Sequence, residues 1–139
     1  MKTTFKEIEF LSFSSTLANI GLVEKLIDDI CGRYNIHEDF YGNILIAVTE
    51  AINNSIQHGN ELNPDKKVSL SVHENGSDIV FTIKDEGKGF AFDKLPDPTA
   101  PENIEKESGR GIFLMNALSD NLVFEDNGTK VILTFSTVK

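Results

Sequence analysis

"KVSLSVHENGSDIVFTIKDEGKGF", residues 67–90, decides how the chain is read. Two runs in it, "KVSLSV" and "DIVFTIKD", alternate apolar and polar side chains with period two, the pattern of half-buried strands. "HENGS" joins them, and Asn-Gly is the strongest short signal for a hairpin turn. The second strand runs straight into "DEGKGF", where Gly87 and Gly89 stand at alternate positions. Glycines there let backbone approach a ligand closely, and Asp85 offers an acceptor-only carboxylate that can bind the exocyclic amine of a purine. A tight turn with Asp as turn former accounts for the same residues. A calcium loop does not, because its other acidic positions and terminal Glu are absent.

Upstream the period is 3.6. Leu17, Ile20, Val23, Leu26, Ile27 and Ile30 recur at helical spacing, and Gly32 ends that helix. Before it, "FKEIEFLSFSS" alternates as a strand, and Ser14, Ser15 and Thr16 offer N-cap chemistry. A second helix is expected from about His37 to His58, with Leu45, Val48, Ile52 and Ile56 within about 80° of arc and Gly59 as its stop.

That second helix carries "TEAINNSIQHGN", residues 49–60. With Leu45 at zero, Glu50, Asn54 and His58 fall near 140°, 180° and 220°, a polar ridge opposite the apolar stripe. A solvated face is one reading. The ridge holds no Lys or Arg, however, and an Asn carbonyl suits Mg²⁺ while a carboxylate one turn earlier suits a general base. Asn53, near 80°, leaves the ridge.

Downstream, residues 90–108 lose all periodicity around Pro96, Pro98 and Pro101, and a loop that long is usually functional. "SGRGIF", residues 108–113, then opens a helix with Gly-x-Gly, a possible anion site at a helix N-terminus or a hinge capped by Ser108. "NLVFED" and "TKVILTFSTV" around "NG" form a second hairpin. Neither a P-loop, a complete GxGxxG nor a paired-cysteine zinc spacing occurs. Two sequential hairpins and three amphipathic helices predict an α+β two-layer sandwich: one mixed, mainly antiparallel sheet with three helices on one face.

The 139 residues fit a single domain spanning 1–139, and the formal net charge of −9 argues against non-specific binding of nucleic acid or anionic membrane. Any anionic ligand must meet a local site. Cys31 is the lone cysteine, set in a helical pattern where a buried, inert thiol is expected. With no signal-like start and no apolar run of membrane-spanning length, a soluble cytoplasmic protein is expected.

Taken in order, these motifs resemble the GHKL ATPase superfamily, the Bergerat ATP-binding fold shared by DNA gyrase, MutL and the histidine kinases. "EAINNSIQHG" resembles its N box, "DEGKGF" its G1 box, "SGRGIFLM" its G2 box, and "GTKVILTF" its terminal strand. "DPTAPENIEKESGRGIFLMNAL" is especially similar to the small anti-sigma-factor serine/threonine kinases of the RsbW and SpoIIAB type. The resemblance implies ATP and Mg²⁺ as cofactors. It makes Glu50 the general base and Asn54 the Mg²⁺ ligand, puts Asp85 on the adenine amino group, and leaves Gly87 and Gly89 as the close nucleotide wall. Residues 90–108 become the ATP lid, Gly109 and Gly111 contribute amides to the phosphates, Arg110 reaches the γ-phosphate, and Thr129 helps close the adenine pocket. His58 has a supporting place in the ridge.

The same resemblance implies a kinase that phosphorylates an antagonist protein on Ser or Thr, sequesters a sigma factor or similar partner, and forms a homodimer. A nucleotide-sensing binding module without significant kinase activity is the alternative, though a pure binder needs no base at Glu50. The catalytic half of a histidine kinase fits less well, because the chain leaves no room for a phosphoacceptor helix pair.

Overall fold

The computed structural model describes residues 4–88 and 107–137. Gly89 and the expected lid as far as residue 106 lie outside the described residues, as do the side chains of residues 107–110. Five strands, β1 (Lys6–Ser14), β2 (Lys67–Glu74), β3 (Asp78–Lys84), β4 (Asn121–Glu125) and β5 (Lys130–Ser136), form a sheet in the order β1-β2-β3-β5-β4. Among the described residues three α-helices accompany it: α1 (Ile20–Arg33), α2 (Glu38–Asn54) and α3 (Glu107–Leu118). This is the α+β arrangement expected. The sheet is simpler than expected, since every pairing among the described residues is antiparallel.

Period-two alternation builds the core. Val68, Leu70 and Val72 of β2, Ile79, Phe81 and Ile83 of β3, and Val131, Leu133 and Phe135 of β5 are all buried. Into the same apolar cluster pack Val23, Ile27 and Ile30 of α1, Ile44, Val48 and Ile52 of α2, and Met115 of α3. The two aromatic residues of the sheet's centre, Phe81 and Phe135, meet edge to face with centroids 5.9 Å apart. Leu45 is only partly buried, and Ile44 and Ala47 take the deeper positions on α2. Cys31 is buried on α1, and burial, aided by the nearby Asp28 carboxylate, pushes its thiol up to about 11. That favours the inert thiol form.

Two local expectations are corrected. The serines and threonine before α1 do not cap it with their oxygens: Thr16 precedes a short 3₁₀ turn, Leu17–Asn19, without a side-chain cap bond. Instead the Asn19 amide donates to the Ser14 carbonyl at 2.8 Å and to Thr16 Oγ1 at 3.1 Å, and Ser15 is fully buried, its hydroxyl donating to the Lys66 carbonyl. The second helix, expected to run in α geometry to His58, leaves it at Asn54 and finishes as a π-turn, Ser55–Gly59. Its i→i+5 bond runs from the Asn60 N–H to the Ser55 carbonyl at 2.8 Å.

The Asn-Gly hairpin forms where expected. Gly76 sits at φ +93°, and Asn75 Oδ1 accepts from the Ser77 and Asp78 amides.

Candidate nucleotide site

The end of α2 is the hinge of the site because it touches both α3 and the loop after β3. On its outer side Glu50 and Asn54, one helical turn apart, are half-buried rather than solvated. The ridge is covered by the start of α3. A Cβ added at Gly111 would stand 3.0 Å from Asn54 Nδ2, 3.4 Å from Asn54 Oδ1 and 3.2 Å from Glu50 Oε2. Gly111 therefore admits both side chains against the helix backbone. Its N–H is not among the first four of a helix that begins at Glu107, whereas Gly109 does stand in that first turn, where amides lack carbonyl partners within the helix. Arg110 lies beside it on the same turn.

Asn53 is engaged elsewhere: its side-chain oxygen accepts from Gln57 Nε2 at 2.6 Å. Asn54 is the asparagine that faces Gly111. His58 falls within the π-turn and is exposed, whereas Glu50 and Asn54 are half-buried.

On the inner side the π-turn meets the "DEG" loop. Asp85 leaves β3 with its N–H donating to the Thr129 carbonyl at 2.9 Å, which ties the loop to the entry of β5. Thr129 thus lies beside Asp85 through its backbone, while its hydroxyl donates to the Asp126 carbonyl. The Asp85 carboxylate accepts from the Gly87 N–H at 2.9 Å, and the Ser55 hydroxyl lies near enough to favour its charged form. Burial nevertheless holds its carboxyl above the ordinary Asp value, outweighing the lowering effects of Gly87, Ser55 and the Lys66 charge. Glycine is required twice here. A Cβ at Gly59 would lie 2.6 Å from Asp85 Cγ, and one at Gly87 would lie 2.6 Å from the Gly59 carbonyl carbon.

The arrangement joins a carboxylate-and-amide pair, Glu50 and Asn54, packed at Gly111 to a half-buried carboxylate walled by two glycines, with adjacent residues, Asn54 and Ser55, linking the halves. The model of the histidine kinase-like ATPase domain family matches residues 13–135, a span that contains all of these residues. The chain belongs to that family. Relatives of this ATPase domain include the serine-protein kinase RsbW of Halalkalibacterium halodurans, 30% identical over 122 residues that cover 83% of this chain and 74% of that protein. RsbW of Bacillus cereus is 25% identical over 142 residues, covering 96% of this chain and 87% of that one. The crystal structure of the RsbU and RsbW domains of a Mycobacterium tuberculosis protein superposes with a TM-score of 0.59 at 11% identity, over 96% of this chain and 31% of that one. The last is a likeness of fold. Together they make this a GHKL ATPase domain of the RsbW type, as the order of its motifs implies.

Sequence reasoning missed three residues of this candidate site. Gly59 reads as a helix stop, Ser55 as a helix residue, and Asn60 as nothing at all, yet Gly59 and Ser55 touch Asp85 and Asn60 bonds its neighbour Glu86. The signal available was the doublet Gly59-Asn60 after a helix, which fits a stop equally well.

Proposed function

We propose that the chain is an ATP-dependent serine/threonine protein kinase of the anti-sigma-factor type. It phosphorylates an antagonist protein and, when that antagonist is unavailable, sequesters a sigma factor or similar regulatory partner, acting as a homodimer. The observation that carries this reading is the meeting of Glu50 and Asn54 at Gly111, in a chain whose relatives are named serine-protein kinases.

The residues suit a nucleotide carrying Mg²⁺. Among the described residues no three His, Cys, Asp or Glu side chains gather into a protein-only metal cage. Mg²⁺ does not need one, since it takes one or two hard oxygen ligands alongside waters and phosphates, and the Asn54 carbonyl oxygen is such a ligand. When bound, it would neutralise charge on the ATP phosphates. Asp85 accepts from the adenine amino group, Gly59 lets that carboxylate close against the π-turn, and Gly87 and Gly89 form the close nucleotide wall. The first-turn amides of the last helix, Gly109 among them, face the phosphates as a local positive end within an acidic protein. Arg110, on that turn, is assigned to the γ-phosphate, Gly111 makes the space that lets Glu50 and Asn54 approach, and Thr129 closes the adenine side by holding the Asp85 amide.

Glu50 then takes the proton of the substrate hydroxyl as its oxygen bonds to the γ-phosphorus and the bond to the bridging oxygen of ADP breaks. Asn53 cannot replace Asn54 without surrendering its bond from Gln57.

Calorimetric titration with Mg-ATP tests the site. Wild type should bind, and Asn54→Ala and Asp85→Ala should each weaken binding about tenfold or more, as loss of a charge-assisted contact does. Unchanged affinity in both variants would overturn the assignment.

A further inference from the structure

Asn60 is 1% exposed and almost fully hydrogen-bonded. Its amide donates to Ser15 Oγ at 2.7 Å and to the Lys67 carbonyl at 3.0 Å, and its Oδ1 accepts from the Glu86 N–H at 2.8 Å. Its own N–H closes the π-turn on Ser55, and its carbonyl accepts from Asn63 at 3.0 Å. One side chain therefore joins the end of β1, the start of β2 and the loop after β3. The backbone contorts to keep it there: Glu61 and Leu62, neither of them glycine, follow in left-handed conformation at φ 54° and 60°. Leu62 is 49% exposed, so packing does not hold it; its N–H is tied instead to the Ile56 carbonyl at 2.8 Å. Strain of this kind persists where the surroundings over-determine it, and it gathers at functional sites.

The bond that matters for chemistry is the one to Glu86. That residue lies between Asp85 and Gly87, so fixing its N–H fixes the peptide plane on which the Asp85 carboxylate is mounted, together with the Gly87 amide that holds Oδ1. The Lys67 N–H also donates to the Glu86 carboxylate, which fastens the same loop to β2 a second time. A carboxylate accepts from the amino group of adenine but opposes the carbonyl that guanine carries at the same place, so its placement sets which base is taken.

We propose that Asn60 is a positioning and specificity-determining residue: through the Glu86 N–H it aims Asp85 at the base and sets the preference for adenine over guanine nucleotides. This rests on the nucleotide-binding reading above. A keystone that merely holds the fold would lower stability without changing the choice of base, and Ser15 provides the comparison. It belongs to the same buried network but does not touch the loop.

The test is calorimetric binding of Mg-ATP and of Mg-GTP to the full chain, for wild type, Asn60→Ala, Asn60→Asp and Ser15→Ala, each verified as folded by circular dichroism at the temperature used. Wild type prefers ATP. In Asn60→Ala the ATP affinity falls by about tenfold while GTP binding changes little, so the preference collapses. Asn60→Asp keeps an acceptor for the Glu86 N–H and keeps the preference despite a lower Tm, and Ser15→Ala does the same. A wild-type ATP to GTP ratio in folded Asn60→Ala overturns the proposal. So does loss of the ratio in folded Asn60→Asp or in Ser15→Ala, which decide the matter even if the alanine variant at 60 does not fold. A wild type that binds neither nucleotide contradicts the reading of the site itself, and this inference falls with it.

Discussion

Gly59 and Asp85 are in a contact that only glycine permits: a Cβ at position 59 would lie 2.6 Å from Asp85 Cγ and 2.9 Å from Oδ1. The two residues are far apart in sequence, and the π-turn at the end of α2 brings them together. Gly59→Ala must therefore displace the carboxylate or the turn. We expect a stability loss of about 1–3 kcal/mol, as for overpacking elsewhere, together with ATP affinity reduced at least as far as in Asp85→Ala. Gly42→Ala is the matched control, because a Cβ there meets nothing within 4 Å on α2. It should gain about 0.5–1 kcal/mol and bind ATP normally. Thermal unfolding and titration of both variants check the pair.

Asp85→Asn separates stability from function. Burial raises the carboxyl above its ordinary value, so between the unfolded and folded pKa values the native state holds more protons than the unfolded chain. Wild-type stability from this group is fully present below the unfolded value and declines as pH rises through the raised folded value. The neutral amide escapes that decline. The variant should therefore melt at a higher temperature than wild type near neutral pH, the gap should close as the pH falls toward the ordinary Asp range, and ATP binding should be weakened throughout. Paired melting curves across pH measure the gap, and a gap that widens toward acid would contradict the sign.

Gly111→Ala tests the other half of the site. The added Cβ would press on the ends of the Asn54 and Glu50 side chains, at 3.0 and 3.2 Å, and these can shift by a few tenths of an ångström. Catalysis is more sensitive to such a shift than binding is. We expect a folded protein whose phosphotransfer rate falls by on the order of a hundredfold while ATP affinity changes by much less. Single-turnover rates and equilibrium titration on the same preparation distinguish the two effects.

Much of this was legible in the sequence for identifiable reasons. The strands β2, β3 and β5 alternate cleanly because the helices cover one sheet face, so which of their residues face the core follows from period two alone. Glu50 and Asn54 share a ridge because α2 is regular as far as Asn54. The π-turn that ends α2 is not legible, because a single i→i+5 bond leaves no mark in a hydrophobic pattern. Ser15 and Asn60 were missed for a related reason: their partners lie 45 residues apart in sequence, and a buried polar network has no periodicity to read. Asp85 stands out in the sequence only because strand, carboxylate and glycines are adjacent in the chain.

The central claim is that Glu50 removes a proton from a substrate hydroxyl while the rest of the site holds ATP. It is tested most directly by incubating wild type and Glu50→Gln with γ-labelled Mg-ATP and candidate antagonist proteins from the same genome. Label should pass to a serine or threonine of one antagonist with wild type. With Glu50→Gln, which should bind Mg-ATP nearly as well, transfer should fall by about a hundredfold or more. Transfer at the wild-type rate by the Gln variant would contradict the assignment of the base. Tight ATP binding by wild type with no label on any antagonist would contradict the kinase.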